Sequence, residues 1–213
     1  SVTNFTTLAP SPVVNIYMPS AAHATASLSG RPISATIDAS GLSSGGTSGD
    51  ILGETHDNTN ANHWEGVQPG VVLTYTLAGA SDVDRVHIWN DMYTTGRGVQ
   101  GFDISFSTDG GSYPTSIALS GFVDGDNSVQ SKSFAMQSDV THIRFSSLTG
   151  GTEEWGSAYA GLGEVRFAKP TAYPLAIANT EAANVTDEEA DLEGTLNADG
   201  ALLTVTAHCS TTS

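Results

Sequence analysis

The chain predicts an all-β fold, a jelly-roll-like antiparallel β-sandwich with a short extra β segment at the C-terminus. Three observations predict it. Apolar side chains alternate with polar ones in several short runs, as in half-buried strands. Glycine is abundant at 23 residues, while charged residues make up only 14%. No helical periodicity extends beyond about two turns.

Taken in order, residues 1 to 20 carry Pro10, Pro12 and Pro19 around short apolar pairs such as Val13-Val14. Proline interrupts ladder pairing, so this reads as a lead-in strand or linker. Alternation returns weakly from Ala22 to Leu28, and Ser34 to Ile37 reads as a short strand. The segment from Asp38 to His63 is irregular, with glycine and serine in its first half and acids, asparagine and histidine in its second. A loop of about 25 residues is uncommon unless it is functional, internally packed or mobile.

Val71 to Leu77 is a clean strand with Val71, Leu73, Tyr75 and Leu77 on one face. In the next, Val86 and Ile88 alternate with Arg85, His87 and Trp89. A polar, glycine-rich loop from Asn90 to Gly101 follows, with Tyr93 and Arg97 at its centre. Phe102, Ile104 and Phe106 then alternate with Asp103, Ser105 and Ser107, and Asp109-Gly110 supplies turn chemistry. Further strand patterns run from Val129 to Met136, His142 to Ser146 and Glu164 to Phe167. That makes about eight strands before Pro170, the spacing of a two-sheet sandwich.

Composition shifts after Lys169-Pro170. The tail from Thr171 to Ser213 has seven acidic residues and neither lysine nor arginine. Its patterns at Ala190–Leu196 and Leu203–Thr206, joined by Asp199-Gly200, resemble the first strands of a fibronectin- or immunoglobulin-like repeat. The expected organisation is a module over residues 1–169 and a partial repeat over 170–213.

The formal net charge is −16, from 23 acidic and 7 basic residues. Phosphate backbones and anionic membranes repel such a surface, so no nucleic acid and no membrane insertion are expected. Cys209 is the only cysteine, which rules out an intramolecular disulfide. No apolar run approaches the ~18 residues of a membrane-spanning helix. Ser1 is not a start methionine, and the expectation is a fragment of a larger protein.

Several ordered segments carry a family resemblance. Ile88-Trp89-Asn90, then Arg97-Gly98, then Phe102 to Tyr113 resemble the middle of galactose-binding-domain-like modules of the discoidin or coagulation-factor type C group. Thr36-Ile37-Asp38 followed by His63-Trp64 resembles their early acidic-loop-to-tryptophan segment. Gly161 to Phe167 resembles their closing strand, which carries a glutamate. The resemblance covers roughly residues 20 to 169.

That resemblance implies a structural Ca²⁺ held by Asp38 and Glu164 with backbone carbonyls near Ser40 to Ser43. The chain has Asp38-Ala39-Ser40 where the family usually has Asp-Gly. It also implies a glycan or cell-surface polysaccharide as partner, bound where loops meet at one end of the sandwich. A sugar presents an apolar face that stacks on aromatic rings and hydroxyls that need fixed polar partners. Asn90, Tyr93, Arg97, Trp155 and Tyr159 are the expected ligand residues, whereas Trp64 and Trp89 read as packing residues.

Catalytic patterns fail. Gly41-Leu42-Ser43-Ser44-Gly45 matches G-x-S-x-G but lacks the strand and helix that would strain and expose the serine. Glu153 and Glu154 are adjacent and point apart, unlike a glycosidase pair. His56 and His63 lack helical or CxxC-like zinc spacing. Asp124 to Ser128 reads as a solvated turn. The expected function is a non-catalytic carbohydrate-binding or adhesion module, calcium-stabilised, of a secreted or cell-surface bacterial protein. The alternative is a structural or protein-interaction spacer. Self-association through the C-terminal strands is a further expectation.

Overall fold

The computed structural model describes residues 14–92, 96–151, 153–154, 157–170, 176–179, 189–198 and 201–210. Two compact units divide the chain, one of Ile16–Lys169 and one of Ser1–Asn15 with Pro170–Ser213.

Nine strands join in one continuous sheet: β1 (Val14–Tyr17), β2 (Ala21–Ala24), β3 (Trp64–Gln68), β4 (Leu73–Asn90), β5 (Val99–Ser107), β6 (Thr115–Ser120), β7 (Gln130–Gly150), β8 (Glu153–Glu154) and β9 (Ser157–Pro170). β4 and β7 are long because each belongs to both layers of the sandwich. The first part of β4 pairs with β2 and with the second part of β7, Leu73 facing Phe145. Its last part pairs with the first part of β7 and with β9, Val86 facing Lys132 and Phe167. Register shifts between Thr76 and Arg85 make the corner. Bulges bend a strand and let it change sheets. Two pairs of predicted strands thus belong to two bent strands.

Period-2 alternation within each run places Leu73, Tyr75, Val86, Ile88, Phe102, Ile104, Ile143, Phe145, Val165 and Phe167 in one buried cluster, and Leu162 joins it across the register shift opposite Trp89 and Asn90. Rings meet across the layers, with Tyr75 5.7 Å and Phe145 6.0 Å from Phe167. The Asp109-Gly110 turn forms as its sequence predicts. Gly110 has φ +78° and Asp109 Oδ1 accepts the Gly111 N–H at 2.8 Å.

One predicted strand is corrected. Ile33–Thr36 forms a 3₁₀ turn rather than a strand. Pro32 sets the entry, Ala35 N–H donates to the Pro32 carbonyl, and Thr36 Oγ1–H donates to the Ile33 carbonyl. Local side-chain bonding outcompetes the weak alternation.

The segment from Asp38 to His63 is internally packed. It covers the outer side of β4, where Trp89 clusters with Ala39 and Leu42 and donates its Nε1–H to the Glu54 carbonyl at 2.8 Å. Trp64 and Trp89 are both fully buried, as packing residues.

In the other unit, β10 (Ala176–Asn179), β11 (Glu189–Ala198) and β12 (Ala201–Ser210) form a three-stranded antiparallel sheet. Three such strands are common to many β folds and do not assign a fibronectin-like repeat. Among the described residues no helix is long and apolar enough to cross a membrane.

Candidate functional site

The outer faces of β3 and β9 carry a buried polar layer. Register places Glu65 opposite Gly161 and Val67 opposite Tyr159, with Trp64 and Leu162 turned into the core. The glycines open space for charged groups. A Cβ on Gly161 would stand 2.4 Å from Asp91 Oδ2, and one on Gly163 would stand 2.9 Å from the His56 ring.

Glu65 is fully buried and is shared by two guanidiniums. Arg97 Nη1–H donates to its Oε2 at 2.7 Å, and Arg31 pairs with its Oε1. The Arg97 guanidinium also lies 4.7 Å from the centre of the Tyr159 ring. This group couples an aromatic face to fixed donors and acceptors.

The turn that carries Arg97 is held from below. Asp124 accepts the N–H groups of Gly96 and Gly98. Asn90 Nδ2 donates to the Val99 and Val123 carbonyls, and its Oδ1 accepts the N–H groups of Val99 and Asp91. Asn90 is fully buried, so its role here is to clamp backbone, not to face a ligand.

Beside this group lie His56 and His63, their ring centres 4.7 Å apart. Each sets its Nδ1 against a backbone carbonyl, that of Asp57 at 3.0 Å and that of Thr59 at 2.9 Å. Carbonyls only accept, so both rings carry the proton on Nδ1. Burial holds the His56 pKa below the ordinary histidine value.

Glu164 is also fully buried. Its Oε2 accepts the Ala39 N–H at 3.0 Å and its Oε1 pairs with Arg166. Burial raises its pKa to about 7 despite the Arg166 charge and the Ala39 bond. The two segments expected to flank calcium are therefore adjacent, and Asp38 adds a nearby negative charge. The loop oxygens have internal donors as well. Asp38 Oδ1 accepts Ser40 N–H, and the carbonyls of Ala39, Ser40, Gly41 and Leu42 accept from Leu42, Asn62, Asp57 and Gly45. Asp38 and Glu164 fit the anionic half of a calcium site, and Arg166 is the cation already in contact with it.

Of the expected ligand residues, the structure brings together Arg97 and Tyr159. Tyr93 and Trp155 lie outside the described residues. Arg31, Glu65 and Asp91 escaped the sequence reading. Glu65 was accessible to it in principle, because alternation through His63-Trp64-Glu65 puts Glu65 on the face opposite the buried Trp64. Arg31 and Asp91 adjoin irregular segments, where no periodicity reports facing. The G-x-S-x-G match lies in tight turns, and Oγ of its central Ser43 accepts the Thr55 N–H at 3.4 Å. Asp126 accepts Ser128 N–H and Oγ–H within the predicted turn.

No protein-family model and no curated protein matches the chain. Solved structures do. A truncated AlyQ with CBM32 and alginate lyase domains is 21% identical with TM-score 0.52, covering 84% of this chain and 37% of its own length. The CBM32 of AlyQ in complex with 4,5-unsaturated mannuronic acid is 21% identical with TM-score 0.50, covering 72% of this chain and 97% of its own. A CBM32 from Clostridium perfringens in complex with GalNAc-β-1,3-galactose is 16% identical with TM-score 0.50, covering 71% and 98%. The fold is the galactose-binding-like β-sandwich. It is shared with family 32 carbohydrate-binding modules, which are non-catalytic. This chain spans little more than a third of the two-domain AlyQ structure.

Proposed function

We propose that the Ile16–Lys169 unit is a non-catalytic carbohydrate-binding module of a larger secreted or cell-surface bacterial protein, serving attachment to a glycan. The observation that carries this reading is the Arg97–Tyr159 pair anchored on Glu65, within a fold whose solved relatives bind saccharides. A pyranose needs an aromatic surface and preorganised hydrogen-bond partners, and a site that is already ordered loses less entropy on binding. Tyr93 and Trp155 complete the proposed ligand set.

The test is an array of neutral and uronic-acid glycans followed by calorimetry. Arg97→Ala and Tyr159→Ala should each weaken binding at least tenfold, and Trp155→Ala should do the same if it stacks on the sugar. A blank array, or affinities unchanged in all three variants, overturns the reading.

A second reading, a spacer without a small ligand, draws on one observation. Arg97 is only 5% and Tyr159 9% exposed. A blank array would favour it.

Calcium on Asp38 and Glu164 is proposed as the structural ion, because two carboxylates of adjacent segments would gain from a divalent cation. Thermal unfolding in Ca²⁺ and in chelator decides this. Equal midpoints would leave Arg166 as the counter-charge of Glu164 among the described residues and remove calcium from the account. Self-association through β10–β12 is proposed on the same footing, and sedimentation at rising concentration tests it.

A further inference from the structure

A second group of side chains is built for a different ligand. One ligand atom each from His56, Asp57 and His63 lies within 4.8 Å of the other two. We propose that these three residues bind a divalent transition-metal ion of the zinc type, and that the ion cross-links the His56–His63 end of the irregular segment.

Four observations support it. First, both imidazoles are held with Nδ1–H against backbone carbonyls, which turns each Nε2 lone pair away from them, unpartnered among the described residues in His56 and accepting only the Met92 N–H in His63. Metal-bound histidines are oriented by this kind of outer contact. Second, His56 is 2% exposed and its Nε2 has no hydrogen-bond partner among the described residues. A buried acceptor left this way costs free energy, and a cation satisfies it. Third, His56 sits in a slot that only glycine permits. A Cβ on Gly41 would fall 2.1 Å from its ring and one on Gly163 2.9 Å. Fourth, negative charge converges on the site, with Asp91 Oδ1 3.8 Å from His63 Nε2.

The donor chemistry selects the ion. Two imidazoles and a carboxylate suit zinc, whereas calcium takes oxygen donors. Around a tetrahedral zinc the ligand atoms stand roughly 3–3.5 Å apart, so a pair at the 4.8 Å limit needs to close by roughly 1.5 Å. His63 Nε2 currently accepts the Met92 N–H at 3.2 Å, a contact the ion would replace. Asp57 is exposed and gives the ion its approach from solvent.

The experiment uses the chain without an affinity tag. Zn²⁺ is titrated by calorimetry, and Co²⁺ is followed by visible absorption. One ion per chain, the intense absorption of a four-coordinate cobalt site, and a higher unfolding temperature with Zn²⁺ but not Mg²⁺ are expected. His56→Gln and His63→Gln should each weaken binding at least tenfold. If either variant fails to fold, NMR of the wild-type chain serves instead. Of the six histidines, His56 and His63 alone should shift their ring nitrogens on zinc addition. No saturable zinc binding, a weak six-coordinate cobalt spectrum, or shifts confined to other histidines overturns the proposal.

Discussion

The apolar core and the polar layer outside β3, β4 and β9 are buried to similar extents, by opposite chemistry. In the core Tyr75, Phe145 and Phe167 touch ring to ring, and the main polar demand is the Tyr75 hydroxyl, 3.3 Å from Thr36 Oγ1. In the layer Arg31, Glu65, Asp91, Arg97, Glu164 and Arg166 are each at most 7% exposed. Apolar burial stabilises without regard to direction, at roughly 25 cal/mol per Å². A buried charge stabilises nothing until a partner meets it, and losing the partner is costly. The core therefore sets whether the chain folds, whereas the layer sets which groups stand where at the candidate site.

The largest effects come from truncating one member of each region. Phe145→Ala should cost about 3–5 kcal/mol through the cavity it leaves. Glu65→Ala should cost about as much, because Arg31 and Arg97 lose their shared carboxylate. Urea unfolding measures both. Amide exchange separates them: the core variant should lose protection throughout, and Glu65→Ala chiefly in Asp38–His63 and around Arg97. Equal and uniform losses would mean that the two regions are one cooperative unit.

Acidity should divide the regions next. The pKa of Glu164 is raised by burial to about 7, so its contribution is complete below the ordinary value near 4.5 and is lost as pH rises through 7. The expected loss is about 3 kcal/mol, and Glu164→Gln should remove it. His87, lowered by burial to about 4, acts in the opposite sense: its contribution is present above 6.5 and is lost as pH falls towards 4. Stability should therefore peak between these limits. A profile of Glu164→Gln identical to that of the parent would show that Arg166 already holds the carboxylate ionised.

The smallest effect joins the two regions. Trp89→Phe keeps the ring against Ala39 and Leu42 but leaves the buried Glu54 carbonyl without its donor. A cost of about 1–2 kcal/mol is expected, with faster amide exchange confined to Asp38–His63. An unchanged exchange rate there would mean that the segment is held by its own turns instead.

Much of the sandwich was legible in the sequence, because strand facing repeats every second residue. Leu73-Tyr75, Val86-Ile88 and Phe102-Ile104-Phe106 name their buried faces in one dimension. The corners in β4 and β7 were not legible, since a bulge is decided by what each half of the strand pairs with. Residue type and loop position single out Arg97, Tyr159 and Asn90 alike; the first two lie 4.7 Å apart, guanidinium to ring centre, whereas the Asn90 amide is committed to four backbone partners.

By itself, then, the sequence determined the class, the strand faces, the Asp109-Gly110 turn and the packing roles of Trp64 and Trp89. Each follows from local periodicity or from a residue's own backbone preferences. Only the tertiary structure decided that the polar faces of β3 and β9 would be buried. A long irregular segment lies against β9, Arg31 and Arg97 close over Glu65 on β3, and glycines at positions 161 and 163 leave room for Asp91 and His56. Which charge meets which is a matter of distance across the fold, and separation along the chain does not report it.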